Sequence, residues 1–250
     1  MKIIWQFGES DKQKVKAFYD AHKNNYLVQR RLARNQEKNK QEISIHEFWK
    51  TMVSCQLTTQ QRSGPKSPIT HFMTTKPFPV GWDQCQNHPS VDTFVSNALT
   101  AFGGIRRAKT IGREVLANYQ LLTTGSWIKT QHFLNLVRIN PTPQTEQCAA
   151  NYIDETFKGF GPKQSRNLLQ GLGLSMHEIP IDSRVIKWLS SIGFPIQVGA
   201  TSLSDKHVYQ LISDGFQEMA SVCDIKPFAL DAAIFSSTDN NGWNEDNFVW

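Results

Sequence analysis

Apolar residues recur along most of this chain at the three- and four-residue spacing that places them on one face of an α-helix. In the segment 106–120 that face carries Ile111, Val115, Leu116 and Tyr119. The same spacing predicts helices over 11–19, 90–101, 126–137, 143–157, 183–193, 204–220 and 227–237. The alternation typical of strands is weak throughout, so the pattern predicts an all-α fold.

A separate signal marks the start of a helix near residue 44. Ser44 followed by Glu47 has the pattern of a capping box, and the apolar residues Phe48, Trp49, Met52 and Val53 continue the helix. The polar segment 56–61 comes next, and the Pro- and Gly-rich stretch 76–89 predicts a loop.

The composition narrows the class of protein. A length of 250 residues with a 39% hydrophobic fraction fits a soluble protein of one domain or two small ones. No run approaches the roughly 18 apolar residues of a membrane span, and the N-terminus turns polar too early for a secretory signal. We therefore expect a cytoplasmic protein that contacts no membrane. The four cysteines are scattered without a CxxC pair, which favours neither zinc nor an iron–sulfur cluster, and we expect no cofactor.

The charge favours a polyanionic partner, since the net charge is +5 and the pI is near 9.0. Basic residues concentrate between His22 and Lys40, where one acid, Glu37, faces six cations: Lys23, Arg30, Arg31, Arg34, Lys38 and Lys40. Such a run is either a solvated face or a helix or arm that faces phosphates, and both interpretations stay open.

The segment 157–170 carries the main functional motif. It joins an amphipathic helix to a second helix through a Gly-x-Gly turn at Gly159 and Gly161, with Pro162 in the first turn of the second helix. This is the pattern of a helix-hairpin-helix, in which glycines and the amides of a helix N-terminus approach a DNA phosphate. A plain turn between two helices that a glycine closes would have the same pattern.

The residues after the hairpin carry a resemblance to a known family. Lys163 stands directly after the hairpin glycines, and Gly171, Gly173 and Pro180 lead into Asp182, which lies 19 positions after Lys163. This arrangement resembles the helix-hairpin-helix (HhH-GPD) DNA glycosylase superfamily, and within it the compact microbial 8-oxoguanine DNA glycosylase/AP lyases. The segments 48–61, 102–109 and 231–236 are similar to the family's DNA-probing helix and loop, its Gly-Tyr-Arg turn and its last helix.

The resemblance implies a two-lobed helical fold with the active site between the lobes. It divides the chain into basic N-terminal helices (1–43) that pack on the second lobe, a helical lobe with the DNA-probing loop (44–157), the hairpin and its Gly/Pro-Asp loop (158–182), and C-terminal helices with a tail (183–250). The implied partner is double-stranded DNA with a modified base, and we expect a monomer.

The resemblance also implies the chemistry. Lys163, made neutral by partial burial and the helix N-terminus, would attack C1′ of a flipped nucleotide, while Asp182 stabilises the positive charge that develops on the sugar. Attack by the amine gives a Schiff base, which permits β-elimination of the strand. Without the hairpin, Lys163 would be an ordinary solvated charge and Asp182 an ordinary N-cap.

Other positions take roles by the same resemblance. Phe235 would stack on the flipped base and Asp231, one helical turn earlier, would hydrogen bond its edge, with Asn167 also in the base pocket. Gln56 would fill the gap that the base leaves in the duplex, with Gln60 and Gln61 as rivals. The remaining expected DNA contacts are Arg106, Arg107, Gly159, Gly161 and Arg184. A monovalent cation could bind the backbone carbonyls of Glu155, Phe157 and Phe160.

The sequence thus predicts a DNA glycosylase that flips and excises a modified base and also nicks the abasic site, with 8-oxoguanine favoured. An alternative substrate is a hypermodified cytosine of phage DNA, which would make the enzyme part of antiviral defence. Two further alternatives are a monofunctional glycosylase, in which Lys163 contacts phosphate, and a non-catalytic DNA-binding protein.

Overall fold

The computed structural model describes residues 3–37, 40–199, 201–239 and 242–249. Its α-helices are α1 Glu9–His22, α2 Tyr26–Asn35, α3 Ile45–Leu57, α4 Pro68–Thr74, α5 Trp82–Gln86, α6 Val91–Phe102, α7 Ala108–Leu121, α8 Trp127–Ile139, α9 Pro143–Thr156, α10 Pro162–Gly171, α11 Ser183–Ile192, α12 Lys206–Val222 and α13 Pro227–Ser237. A π-helical turn, Leu122–Ser126, joins α7 to α8. No strand occurs among the described residues, and the prediction of an all-α fold is confirmed.

The buried apolar residues that the structure describes form three clusters, one in the first lobe and two in the second, which confirms the prediction of two lobes. The first lobe contains α3–α10 and centres on buried aromatic residues such as Phe48, Trp49 and Phe72. The second lobe contains α1, α2 and α11–α13, with Tyr209 and Phe216 in its core. The chain passes from one core to the other after Leu174, the last residue packed in the first lobe.

Two short helices, α4 and α5, lie where no helix was predicted, and α2 lies in the N-terminal region where helices were expected without bounds. In α2 the buried Arg31 stands among the apolar residues of the inner face, so the helix is hidden in the basic run. Pro68 occupies the first turn of α4, and the Ser67 hydroxyl caps that helix by accepting from the Thr70 N–H at 3.1 Å. The helix α5 spans only Trp82–Gln86 within the predicted loop.

The basic run is not a single face, because its members have separate partners. Arg31 lies in the interior, Arg34 pairs with Glu47 at 3.3 Å, and Lys40 donates to the Asn35 carbonyl at 2.8 Å. Lys38 lies outside the described residues. Among the described residues, no helix has the length and apolar character needed to cross a bilayer.

Helices α6 and α7 pack closely against each other at Gly112. Gly112 of α7 is buried, and a Cβ atom there would lie 2.5 Å from the Asp92 carbonyl oxygen and would also overlap the Ser96 hydroxyl. Both atoms belong to α6, so the approach of the two helices depends on the missing side chain.

We therefore predict that Gly112→Ala lowers the free energy of unfolding by about 1–3 kcal/mol, because overpacking outweighs the gain in helix propensity. Urea denaturation monitored by circular dichroism measures the change. Gly199→Ala is the matched control, since a Cβ atom there meets nothing within 4 Å. Equal stabilities of the two variants would contradict the close packing of α6 on α7.

Candidate active site

A cleft of about 760 Å³ opens between the two lobes. The first lobe contributes the loop 58–63, Arg106 and the start of α10, while the second contributes Arg31, the start of α11 and Phe235. Its volume falls within the range of about 300–1,000 Å³ that is typical of ligand sites. Lys163 and Asp182 both line this cleft, from opposite lobes.

Lys163 lies in the first turn of α10 and is half-buried. Burial lowers the pKa of its ammonium group, and the charge of Asp182 opposes that shift. The Lys163 Nζ donates to Gln164 Oε1 at 3.4 Å, a long and neutral contact. The side chain therefore carries more free amine at neutral pH than an ordinary lysine does.

Asp182 is the N-cap of α11. Its Oδ1 accepts from the backbone N–H groups of Arg184 at 2.8 Å and Val185 at 3.2 Å. Its Oδ2 lies 3.6 Å from Arg184 Nε. The cap holds the carboxylate at the edge of the cleft, so the structural role and a chemical role are compatible.

Arg184 and Phe235 lie against each other in the cleft. The guanidinium carbon is 3.9 Å from the centre of the Phe235 ring, which is the distance at which a flat group stacks on an aromatic face. Trp243 stands beside Phe235 with a centroid distance of 5.7 Å. Arg184 thus bridges the candidate catalytic carboxylate and the candidate stacking residue.

The expected position of Asp231 needs correction. Its side chain is 5% exposed, and it is absent from the cleft wall. Its Oδ2 accepts from Arg31 Nη1 at 2.9 Å and from Gln170 Nε2 at 2.8 Å. Arg31 stands between Asp231 and the cleft, because α2 packs on α13, so the side chain that lines the cleft is a donor and not an acceptor.

Gln56 also needs correction, since it is 1% exposed and lies inside the first lobe. Its Nε2 donates to the Lys158 carbonyl at 3.0 Å, and Asn118 Nδ2 donates to the same oxygen at 2.9 Å. The amide therefore binds the hairpin backbone and does not line the cleft.

Gln60 and Gln61 were the alternatives to Gln56 for the residue expected to fill the gap in the duplex, and of these two Gln60 is exposed. It has a left-handed backbone with φ of 56°, and its side chain makes no hydrogen bond within the described residues. Gln61 is tied on both sides, as it donates to the Leu57 carbonyl at 2.9 Å and accepts from the Arg106 N–H at 2.6 Å.

The predicted arginines of the turn after α6 hold this loop. Arg106 Nη2 donates to the Gln60 carbonyl at 3.0 Å, and Arg107 Nη1 donates to the Thr59 carbonyl at 3.3 Å. Arg106 is exposed beside the cleft, whereas Arg107 is half-buried and also pairs with Glu114 at 3.4 Å. The two arginines therefore shape the loop 58–63, and Arg106 keeps a face toward solvent.

The hairpin has the predicted geometry. Gly159 has φ of 82°, a left-handed conformation that favours glycine, and a Cβ atom there would also displace the Glu114 carboxylate, which would lie 2.6 Å away. Gly161 is the residue before α10, and nothing lies within 4 Å of its Cβ direction, which leaves its surface open to a ligand.

The floor of the cleft beside Lys163 is made of neutral groups. Asn167 is 7% exposed and lines the cleft, and its Nδ2 lies 3.6 Å from the Cys55 sulfur and 3.2 Å from Gln164 Oε1. Burial raises the pKa of the Cys55 thiol to about 12, so the thiol stays protonated. Gln164 in turn donates to the Cys55 carbonyl at 2.7 Å.

The possible cation site at the hairpin consists of backbone carbonyl oxygens. The described residues contain no group of three His, Cys, Asp or Glu side chains that could hold a metal ion. The Lys158 carbonyl is already occupied by two amides, so a cation at the hairpin would use the carbonyls of Glu155, Phe157 and Phe160. Neutral oxygens alone suit a monovalent ion better than a divalent one, which prefers carboxylates.

Some residues of the cleft were not predicted. Arg31 was counted only as part of a charge run, and the tail residues Trp243, Phe248 and Val249 fold back to line the cleft. Phe248 packs on α2, where Arg30 lies 5.6 Å from its ring centre. The aromatic residues concentrated in the tail were the feature of the sequence that could have indicated this packing.

The sequence matches no protein-family model and no curated protein. The structure, however, is similar to the 8-oxoguanine DNA glycosylase of Methanocaldococcus jannaschii, with a TM-score of 0.66 and 16% identity over 92% of this chain and 94% of that one. The 8-oxoguanine glycosylase/lyase of the same organism, in complex with a 15mer DNA containing 8-oxoguanine, matches with a TM-score of 0.68 and 14% identity over 92% of this chain and 100% of that one. The 8-oxoguanine DNA glycosylase of Thermotoga maritima matches with a TM-score of 0.63 and 12% identity over 90% of this chain and 94% of that one. The chain has the fold of these glycosylases, which confirms the resemblance at that level.

The Arg31–Asp231 pair yields a stability prediction. Asp231→Ala leaves the Arg31 guanidinium buried without its partner, so we expect the free energy of unfolding to fall by about 3–5 kcal/mol. Chemical denaturation measures the loss. Asp20→Ala removes the exposed partner of Lys23, 2.7 Å away, and should change stability little.

The double variant Arg31→Met with Asp231→Leu should recover most of the stability that Asp231→Ala loses, since it removes both charges together. If Asp231→Ala is no more costly than Asp20→Ala, the pair is not what holds α2 on α13.

Proposed function

We propose that this protein is a DNA glycosylase that excises a modified base by attack of the Lys163 amine on C1′ of a flipped nucleotide. The observation that carries the proposal is the meeting of Lys163 and Asp182 in one cleft between the lobes. The fold of the 8-oxoguanine glycosylases supports it. Base flipping places the sugar of the target nucleotide within reach of both side chains.

The two catalytic residues divide the work. The buried amine of Lys163 is the nucleophile, because its lowered pKa leaves the nitrogen lone pair available. The Asp182 carboxylate stabilises the sugar as positive charge develops, and the α11 cap keeps it in place. The bond from C1′ to the base nitrogen breaks as the bond from Lys163 Nζ to C1′ forms, and the base leaves with the proton that the amine gives up. The C1′–O4′ bond of the resulting hemiaminal then breaks, O4′ takes a proton, and a Schiff base remains. Loss of a proton from C2′ then permits β-elimination, with the 3′ phosphate as the leaving group.

The site supports oxidised guanine over cytosine as the base. Arg31 lines the cleft, and its Nε is buried without a hydrogen-bond partner among the described residues. A guanidinium donates only, and 8-oxoguanine offers its O6 and O8 carbonyls as acceptors while its N7 carries a proton, whereas cytosine presents its N4 donor on the major-groove edge. Asp231 then orients Arg31, while Phe235 stacks on the base once Arg184 has moved to a phosphate. Asn167 lines the floor of the base pocket.

We assign the DNA contacts to residues that are exposed beside the cleft and to the hairpin backbone. Gln60 at the tip of the loop fills the gap in the duplex, with Arg106 beside it, and Arg107 together with Gln61 shapes that loop. Gly159 and Gly161 bring the hairpin backbone to a phosphate. A monovalent cation on the carbonyls of Glu155, Phe157 and Phe160 would add positive charge next to the same phosphate.

Lys163→Gln tests the nucleophile. The variant keeps a polar side chain of similar reach but no amine, so we expect complete loss of the covalent adduct that borohydride traps on an 8-oxoguanine duplex, with little change in duplex affinity. Gel electrophoresis of the trapped species and fluorescence anisotropy measure the two properties. A trapped adduct that persists in the variant would show that another amine attacks.

The wild-type protein separates the alternatives. A non-catalytic DNA-binding protein releases no base and traps no adduct, and a monofunctional glycosylase releases base without nicking. A panel of duplexes with 8-oxoguanine or a glucosylated cytosine decides between repair of oxidised guanine and antiviral defence against modified phage DNA.

Asp182→Asn tests the carboxylate. We expect base release to slow by about 100-fold or more, since one positioned charge is lost. Because the Asp182 charge raises the pKa of Lys163, its removal should also move the rising limb of the pH–rate profile for Schiff-base formation on an abasic duplex to lower pH. Single-turnover kinetics and cyanoborohydride trapping between pH 5 and about 9 measure both effects.

Asp205→Asn is the control for the capping role. Asp205 caps α12 in the same way, with N–H groups at 2.8 and 3.1 Å from its Oδ1, but it is not part of the cleft wall. If both variants lose the same activity, or if the pH profile of Asp182→Asn is unchanged, Asp182 is a cap and nothing more.

A further inference from the structure

The segment between α10 and α11 has an unusual environment for a connection without helix or strand. We call residues 172–182 the strap: it starts at the end of the helix that carries Lys163 and ends at Asp182. All but Met176, His177 and Asp182 of its residues are buried. The relative position of the two candidate catalytic side chains depends on the path of this strap.

Glu146 of α9 binds the middle of the strap. Its side chain is fully buried, its Oε1 accepts from the Met176 N–H at 2.8 Å, and its Oε2 accepts from the N–H groups of His177 and Glu178, both at 2.8 Å. One carboxylate thus satisfies three successive backbone donors. Burial raises the pKa of Glu146 to about 7, against the opposing effect of the three N–H groups.

Glu178 binds the strap to both lobes. Its Oε2 accepts from Arg166 Nε of α10 at 2.8 Å, in a pair with 3% and 0% of the side chains exposed. Its Oε1 accepts from Gln217 Nε2 of α12 at 3.0 Å, and Gln210 and Ser213 of the same helix approach it at 3.3 and 3.5 Å. The strap is therefore clamped between the first and the second lobe.

Two further contacts lock the end of the strap near Asp182. The Tyr209 hydroxyl donates to the Ile179 carbonyl at 2.8 Å and accepts from the Ile181 N–H at 2.8 Å. From Ile179 to Asp182 the backbone then has almost no freedom to shift relative to α12.

From these contacts we propose that Glu146 and Glu178 are positioning residues, which hold the strap so that the Asp182 carboxylate stands opposite Lys163. The inference rests on the function proposed above. Neither glutamate lines the cleft, so neither touches the DNA, and each acts through the backbone of the strap. Such an arrangement explains why two carboxylates are buried far from solvent at a cost in desolvation.

Glu146→Gln is the main test, because the amide keeps the size of the side chain but has one acceptor oxygen in place of two. At least one N–H group of the strap then loses its acceptor. In the free protein we expect hydrogen exchange of the Met176–Glu178 amides, and of the Arg184 and Val185 amides at the Asp182 cap, to become about tenfold faster or more. Unchanged exchange at these amides overturns the proposal, whether or not the protein proves to be a glycosylase.

The kinetic arm uses single-turnover base release from an 8-oxoguanine duplex. Glu146→Gln should slow release by about 10- to 100-fold, with duplex affinity within about threefold of wild type and trapping on a preformed abasic site retained. In an Asp182→Asn background the same change should have little further effect, because the two residues act through one group. An equal fold loss in both backgrounds, or wild-type release by Glu146→Gln, overturns the positioning role.

Two controls separate positioning from general loss of stability. Asp154→Asn makes the same kind of change on α9, at a carboxylate that lies 3.7 Å from Lys206 and does not contact the strap. Val95→Ala removes a fully buried side chain of α6 and lowers stability in a distant part of the first lobe. Both should release base at wild-type rates, and slow release by either of them at matched Tm loss would overturn the proposal.

The same experiment tells the two hypotheses apart. If the wild-type protein releases no base and traps no adduct, the proposed function fails, and faster exchange in Glu146→Gln still supports the strap contact. If the wild type is active and exchange is unchanged, the proposed function stands and the positioning role is wrong.

Discussion

Arg166 and Glu178 face each other at 2.8 Å with almost none of either side chain in solvent, and the chain crosses from one lobe to the other at this pair. An ion pair so deeply buried contributes little net stability, because desolvation offsets its attraction. The pair fixes geometry instead. An arrangement of the lobes that separated the two side chains would leave a buried charge without a partner, at a large cost in free energy, so the arrangement in which they meet is favoured. The cleft, its two catalytic candidates and the path of the strap all depend on that arrangement.

The cleft combines opposite demands on charge. The proposed mechanism requires Lys163 to lose a proton. Burial lowers the pKa of Lys163 and favours the neutral amine, while the nearby Asp182 carboxylate favours the ammonium form. Gln164, Asn167 and the protonated Cys55 thiol next to Lys163 are neutral, and the charges of Arg184 and Asp231 shift the Lys163 pKa in opposite directions. Arg184 contacts both Asp182 and Phe235, so a ligand that stacks on Phe235 has to displace the guanidinium first.

The accuracy of the sequence-based expectations followed how local each feature is. The α9–α10 hairpin, the Ser44 cap and most helix starts rest on neighbouring residues, and these were predicted correctly. The capping box is only half formed, because the Glu47 side chain pairs with Arg34 and not with the Ser44 N–H. The expected positions of Gln56 and Asp231 in the cleft were wrong, because both side chains are polar residues that point inward to partners far along the chain, Lys158 and Arg31. Helical spacing identifies a face of a helix but not the neighbour against which that face packs.

By itself, the sequence determined the all-α class, the hairpin, and the pairing of a lysine after it with an aspartate 19 positions later. Each depends on periodicity, on glycine conformations or on residue order, which are properties of the chain alone. The tertiary structure decided that Arg31 lines the cleft, that the tail closes over it, and that Glu146 holds the strap. Those contacts join residues that are distant in sequence, and the desolvation of their charges selects the partners only once the helices have packed.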